Sequence, residues 1–457
     1  MITAAAAPDI AIPRTRDAVL IERLFWVFAM SLALDYRGET GAGGGLAQAL
    51  FLATCTFSTA AIIWLGRRFL AVRPGALLIG FWVLFLGFMA VNSLLQGVPP
   101  GRSIRVILPL VLCLFGLTNT HIAACAGIAP SRIVLPLFAM ACINVPWRIV
   151  QGFLFKAATV ETVRFDVQSP ASNWLAAWIG CAILLRGSFR PSLLLACGAL
   201  FLGVFVTVTR SLAFPMLASA LACTLCYLLG VRWGIYQWAK LPRRLIPVGA
   251  AAGLVLLALG AAAVIEPVLI ERWNERLFHH AESRNIGGDI SLLTRQAEAT
   301  AIWDIMRENP VHFIHGHGVG CSYYWDPSFL PEIYQVIPAE EAEMNDIWFA
   351  GHSVWTYSLL SGGTIALVSM LALFIWVAAS SLAAARANAT DPGPDQWLAF
   401  LPFVATACLI SETLTANPFQ ERLAGLIFGV MAGLPQAFMV RASWLHTAGR
   451  QEIRRPS

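Results

Sequence analysis

The sequence predicts an all-α, polytopic membrane protein, and three observations carry that reading. Of its 457 residues, 58% are hydrophobic and only 12% are charged, whereas a soluble domain carries about 25% charged residues. The mean hydropathy is +0.69. Apolar runs of roughly 20 residues, each long enough to cross ~30 Å of hydrocarbon, recur along the chain.

These runs place about twelve spans. The first nine lie near residues 18–35, 46–66, 75–97, 105–125, 132–155, 171–187, 191–209, 211–230 and 245–265. Three more lie near 352–382, 396–415 and 423–440. The chain thus divides into a membrane region of about nine helices (1–265), a large extracytoplasmic loop domain (266–351), a membrane region of about three helices (352–440) and a cytoplasmic tail (441–457). The stretch 352–382 is longer than one crossing needs, and Gly362-Gly363 is a candidate break within it. The leading residues MITAAAAPDIAIPRTR lack the apolar core and cleavage site expected of a secretory signal peptide.

Arginine placement sets the expected orientation. Arg14, Arg16 and Arg23 flank the first span, and Arg67, Arg68 and Arg73 fill the second connection. Arg232, Lys240, Arg243 and Arg244 follow the eighth span, and Arg441, Arg450, Arg454 and Arg455 lie in the tail. All fall on one side if both termini are cytoplasmic. The net charge of +5 reflects this bias, so it carries no implication of nucleic-acid binding. The ten cysteines fall mostly within spans, where they read as small apolar fillers. Cys321 alone lies in the outer loop, without an evident disulfide partner there.

The outer loop reads as mostly helical. Residues 291–309, SLLTRQAEATAIWDIMREN, form an amphipathic pattern closed by Pro310, with Leu292, Ala299, Ile302, Trp303 and Met306 at helical spacing. Arg295 falls on that apolar face, and two readings fit it. A charge that conflicts with its local pattern marks function, or the arginine snorkels to a phospholipid headgroup.

Arg210, in FVTVTRSLAFP, occupies a very short outer connection; Arg148, in NVPWRIV, sits in the outer half of span five. Glu412, in LISETLTANP, sits in the outer part of span eleven. Ionisable groups in a membrane are costly and mark a pathway or binding site; the alternative is an arginine–glutamate pair that joins helices. FAGHSVWTYSLLSGG, residues 349–363, brings His352 to the same boundary. Guanidinium groups suit a phosphate or pyrophosphate, and a histidine beside one suits proton transfer.

Three motifs together resemble the O-antigen ligase and polysaccharide polymerase superfamily. They are R-x7-W-x6-P-x5-GHGVG from Arg295 to Gly320, the GHS that opens a long helix at His352, and RFDVQSPASNW before span six. The last is similar to that family's Arg-x-x-Gly…Pro-Asn element and brings in Arg164 as a substrate-binding position. The resemblance implies a metal-independent glycosyltransferase with no cofactor. Its donor would be a glycan on undecaprenyl pyrophosphate. Its acceptor would be another glycan or lipid A–core, at the periplasmic face of a bacterial inner membrane, in lipopolysaccharide or exopolysaccharide biosynthesis alongside other assembly proteins. Carried over by motif, Arg210 and Arg295 match the family's essential arginines and His352 its essential histidine. Arg148 and Glu412 join Arg164 as substrate-binding positions. Ser353 and Ser361 depart from the asparagine and glutamate usual in the family.

The histidines of VHFIHGHGVG, His312, His315 and His317, lack a nearby carboxylate to complete a metal site. The acidic run AEEAEMND at 339–346 reads as a solvated surface. A transporter or flippase for a polar or lipid-linked substrate is the alternative function. It would be expected to show related halves and broken helices near the midplane, and no internal repeat is evident.

Overall fold

The computed structural model describes residues 15–36, 45–73, 75–155, 168–187, 191–207, 212–265, 271, 273, 290–323, 351–390, 393–414 and 416–453. Among these residues helices dominate and no β-strand forms. In chain order the helices are α1 (Arg16–Met30), α2 (Leu46–Gly66), α3 (Gly75–Leu95), α4 (Pro100–Cys125), α5 (Pro130–Phe155), α6 (Ala171–Gly180) and α7 (Pro191–Thr207). They continue with α8 (Ala213–Arg232), α9 (Leu241–Ile265), α10 (Ile290–Glu308), the single turn α11 (His312–His315), α12 (Val354–Ala387), α13 (Leu401–Thr413) and α14 (Arg422–Ile453). The acidic run at 339–346 and the tail residues 454–457 lie outside the described residues.

Eight segments are long and apolar enough to cross a membrane: 46–69, 75–95, 100–125, 130–154, 213–232, 354–387, 396–413 and 422–440. Each overlaps an expected span. The other four expected spans are helical but are not among these eight. Helix α1 has 15 residues and α7 has 17, and the ninth corresponds to α9. The sixth is a ten-residue α-helix that passes into a π-helical stretch, Cys181–Arg186. Arg244 explains that widening, because its Nη1 donates to the Leu184 carbonyl at 2.8 Å and to that of Leu185. Carbonyls with an outside partner no longer depend on the regular helical ladder.

Between helices, lipid tails are as apolar as leucine, so association rests on close packing and polar ties rather than on the hydrophobic effect. Helix α14 is the clearest case. Gly425, Gly429 and Gly433 recur every fourth residue and face Pro109, Cys113 and Thr120 of α4, so the two helices run parallel. A Cβ at Gly429 would stand 2.1 Å from the Cys113 carbonyl oxygen, so only glycine permits this approach. Gly429→Leu is expected to force α4 and α14 apart. A thermal unfolding midpoint in detergent equal to wild type would contradict that packing account.

Polar ties gather several chain segments at one end of the bundle. Asn144 of α5 donates to the carbonyls of Leu32, Ala33 and Asp35 just beyond α1. Arg422, at the start of α14, pairs with Asp35 at 2.8 Å. The Ser93 hydroxyl at the end of α3 accepts from the Val319 amide at 2.7 Å. Trp355 Nε1, in the first turn of α12, donates to Thr413 Oγ1 at 3.0 Å. The ends of α1, α3 and α13, the second half of α5, the starts of α12 and α14, and the 316–320 turn share one rim.

Candidate functional site

The site is built on that rim from α10 and the start of α12. On α10, Ala297, Glu298, Ile302 and Met306 are buried. Glu298, Ile302 and Met306 follow one another at helical spacing, so the carboxylate points inward with the apolar line. This corrects the expected stripe. Trp303 is 45% exposed, where it meets the Phe313 ring edge-on at 5.4 Å and carries the Arg307 guanidinium over its face. The Leu292 side chain lies outside the described residues.

Glu298 holds His352 by three contacts. The His352 amide donates to Oε1 at 3.0 Å and Oε2 at 3.1 Å, and ring Nδ1 lies 2.8 Å from Oε2. The Glu298 side chain is 2% exposed and that of His352 39%, so a buried carboxylate orients a ring that reaches solvent. An ionised carboxylate only accepts hydrogen bonds. Nδ1 is therefore the donor in this contact. Arg295 lies one turn before Glu298 on the same helix face, half-buried.

The turn after α13 fixes the backbone of the histidine segment. Asn417 Nδ2 donates to the Gly351 carbonyl at 3.1 Å, and Gln420 Nε2 donates to the same oxygen. Gly351 is itself hemmed in, since a Cβ there would lie 2.6 Å from Tyr357 Cβ and 2.8 Å from Glu298 Oε1. The glycine of GHS thus lets Tyr357 pack against the backbone just before His352.

Helix α12 breaks where the sequence marks it. Gly363 has φ 64° and ψ −158°, and a Cβ would meet the Ile314 carbonyl at 2.3 Å. The GHGVG turn fills the break: the His317 amide donates to the Leu360 carbonyl at 2.7 Å, and that of Gly318 to Ser361 at 2.9 Å. Gly316, Gly318 and Gly320 all have positive φ, as a tight turn requires. Tyr357 Oη accepts from the Gly320 amide at 3.0 Å, joining this turn to the first turns of α12.

Three histidines meet edge-on in that region, with the His312 ring centroid 3.9 Å from that of His317 and 5.4 Å from that of His315. Burial, and then the neighbouring His312 and His315, lower the His317 imidazole to about 4. An unfolded chain binds that proton near 6.5, so the contribution of neutral His317 to stability is complete above pH 6.5. It is lost as pH falls from there toward 4. His317→Gln is therefore expected to flatten the fall of the unfolding temperature across that window; superimposable wild-type and variant profiles would refute this. Among the described residues, no group of three or more histidine, cysteine, aspartate or glutamate side chains could hold a metal ion. All ten cysteines are free.

The other expected site residues fall as follows. Arg148 is fully buried; its Nη1 donates to the Gln168 carbonyl at 2.7 Å and its Nη2 to Glu421 Oε2 at 3.0 Å. These are the contacts of a helix-joining arginine, and its acid is Glu421, next to the Asn417–Gln420 turn. Glu412 is buried in α13 and accepts from Asn173 Nδ2. It borders a cavity of about 30 Å³ with Pro170, Trp174 and Phe428, room for about one water. Arg210 and Arg164 lie outside the described residues.

Sequence reasoning missed Glu298, Asn417, Gln420 and Glu421. A signal existed for the first, since Glu298 stands three residues after Arg295 and shares its helix face. The Asn-Pro pair at 417–418 marks a turn, but nothing in it points to Gly351. In comparisons with known proteins, no family model matches the chain and no curated sequence is similar to it.

Proposed function

We propose that this membrane protein is a glycosyltransferase that moves a glycan from undecaprenyl pyrophosphate to a sugar hydroxyl at the outer face of a bacterial inner membrane. The observation that carries the reading is the Glu298–His352 pair at the rim of a bundle of apolar helices, with Arg295 one turn away. A histidine oriented by a buried carboxylate is the arrangement a general base needs.

In the reaction, His352 Nε2 takes the proton of the acceptor hydroxyl. The freed oxygen bonds to the anomeric carbon, and the bond from that carbon to the pyrophosphate oxygen breaks. The electron pair leaves with undecaprenyl pyrophosphate, and Arg295 and Arg210 stabilise its developing charge. Glu298 holds the imidazolium that forms until its proton passes to solvent. No metal is required, because the arginines supply the positive charge. Arg148 supports the site through Glu421, and Arg164 contacts the substrate.

Orientation follows from charge. The end opposite the site carries Arg67, Arg68, Arg73, Arg132, Arg232, Lys240, Arg243, Arg244 and Arg386. That end is cytoplasmic by the positive-inside rule, with all twelve helices spanning, both termini inside and the site in the periplasm. The reading favours a polysaccharide polymerase over an O-antigen ligase, because Ser353 and Ser361 depart from the ligase-like pattern.

Reconstitution with a lipid-linked repeat unit, with and without lipid A–core, tests this assignment. A ladder on the carrier lipid alone is the expected polymerase result, and transfer only with core present makes the protein a ligase. Movement of substrate across liposomes with no new glycosidic bond would instead establish a transporter.

A further inference from the structure

The same two helices that bring Glu298 and His352 together also wall a second, larger cavity. It has a volume of about 230 Å³ and lies between the α3–α4 turn, α10 and the 316–322 segment. Ile305 and Leu360 contribute its apolar surface, and Gln96, Arg102, His317 and Ser322 its polar surface. Ile305 stands seven residues beyond Glu298, about 10 Å along α10. Leu360 stands six residues into α12, about 9 Å from its start. The cavity is therefore separate from the Glu298–His352 pair yet belongs to the same rigid corner.

Its chemistry is selective. The volume falls below the ~300 Å³ at which pockets for drug-sized molecules begin, so one small ring suits it. Gln96 and Ser322 can each donate and accept, and Arg102 donates. His317 stays neutral near pH 7, so it adds no charge to the lining. A mixed set of donors and acceptors, with Arg102 the one charged member, matches a ring bearing several hydroxyls.

We infer that this cavity is a saccharide subsite, holding a ring of the glycan other than the one that reacts. The inference rests on the transferase reading for its place in the reaction, though not for binding itself. Such a subsite would let remote binding energy select the glycan and align it for attack.

Gln96 and Ser322 are both exposed and lie on different segments, so each can carry a bulky replacement without disturbing the core. The probe is a soluble oligosaccharide released by hydrolysis from the cell's own surface polysaccharide, titrated calorimetrically into purified full-length protein. Gln96→Trp and Ser322→Trp are expected to weaken binding at least tenfold, with the unfolding midpoint in detergent unchanged. No saturable binding by wild type, or unchanged binding in both tryptophan variants, overturns the subsite. In the transfer assay, a raised KM for the lipid-linked donor alone assigns the cavity to the donor glycan. A raised KM for the acceptor alone assigns it to the acceptor. Cavity-dependent binding by a protein that makes no glycosidic bond would leave the subsite standing and sink the transferase reading.

Discussion

Glu298→Gln is expected to lower glycan transfer by about 10²- to 10⁴-fold, the range that a positioned general base contributes, while the protein still accumulates in the membrane. The wild-type carboxylate accepts from both the His352 amide and ring Nδ1. A glutamine has one oxygen for those two donors, and its NH₂ can only donate. Turned toward the ring, the amide would favour the tautomer in which Nδ1 accepts and Nε2 carries the hydrogen. The lone pair needed to take a proton from the acceptor then faces the wrong way, as in a triad whose aspartate becomes asparagine. His352→Ala should give a similar loss, and the double variant little more, because residues acting as one unit are not additive. Wild-type turnover by Glu298→Gln would remove His352 from the role of base.

Arg295→Ala should cost about 10²- to 10³-fold, the effect of deleting one donor aimed at a developing anion. Arg295 is half-buried on the face of α10 that carries Glu298, the side on which the proposed reaction puts the leaving pyrophosphate. Because the charge grows as the bond breaks, the loss should fall mainly on kcat rather than on KM. Arg295→Lys should restore only part of the rate, since an ammonium lacks the paired planar donors of guanidinium. A change confined to KM would make Arg295 a binding group only. Normal turnover in both variants would instead fit an arginine that snorkels to a headgroup.

Much of the scaffold was legible from the residues, because lipid imposes a coarse requirement that composition alone can meet. Runs such as 75–95 and 100–125 are apolar for their whole length, and the helices follow them closely. Gly362-Gly363 was legible as a break, since glycine marks where the backbone leaves the ordinary regions. The inward face of α10 was not. Its repeat permits two settings of the buried line that differ by a fraction of a turn. The choice between them depends on α12 packing against Glu298, which no local pattern records. Partners of buried charges were equally hidden, because Arg148 and Glu421 are 273 residues apart in sequence. The spacing that places Arg210 in a short outer connection says nothing of what its guanidinium meets.

Glycosidic bond formation and release of the carrier are expected to be one event carried by the protein's own side chains. Purified full-length protein in liposomes, given a lipid-linked repeat unit in excess EDTA, tests it most directly. The account predicts one undecaprenyl pyrophosphate released for each new glycosidic bond, with both products lost together in His352→Ala. Carrier and glycan left intact by wild type, or equal product from His352→Ala, would contradict it.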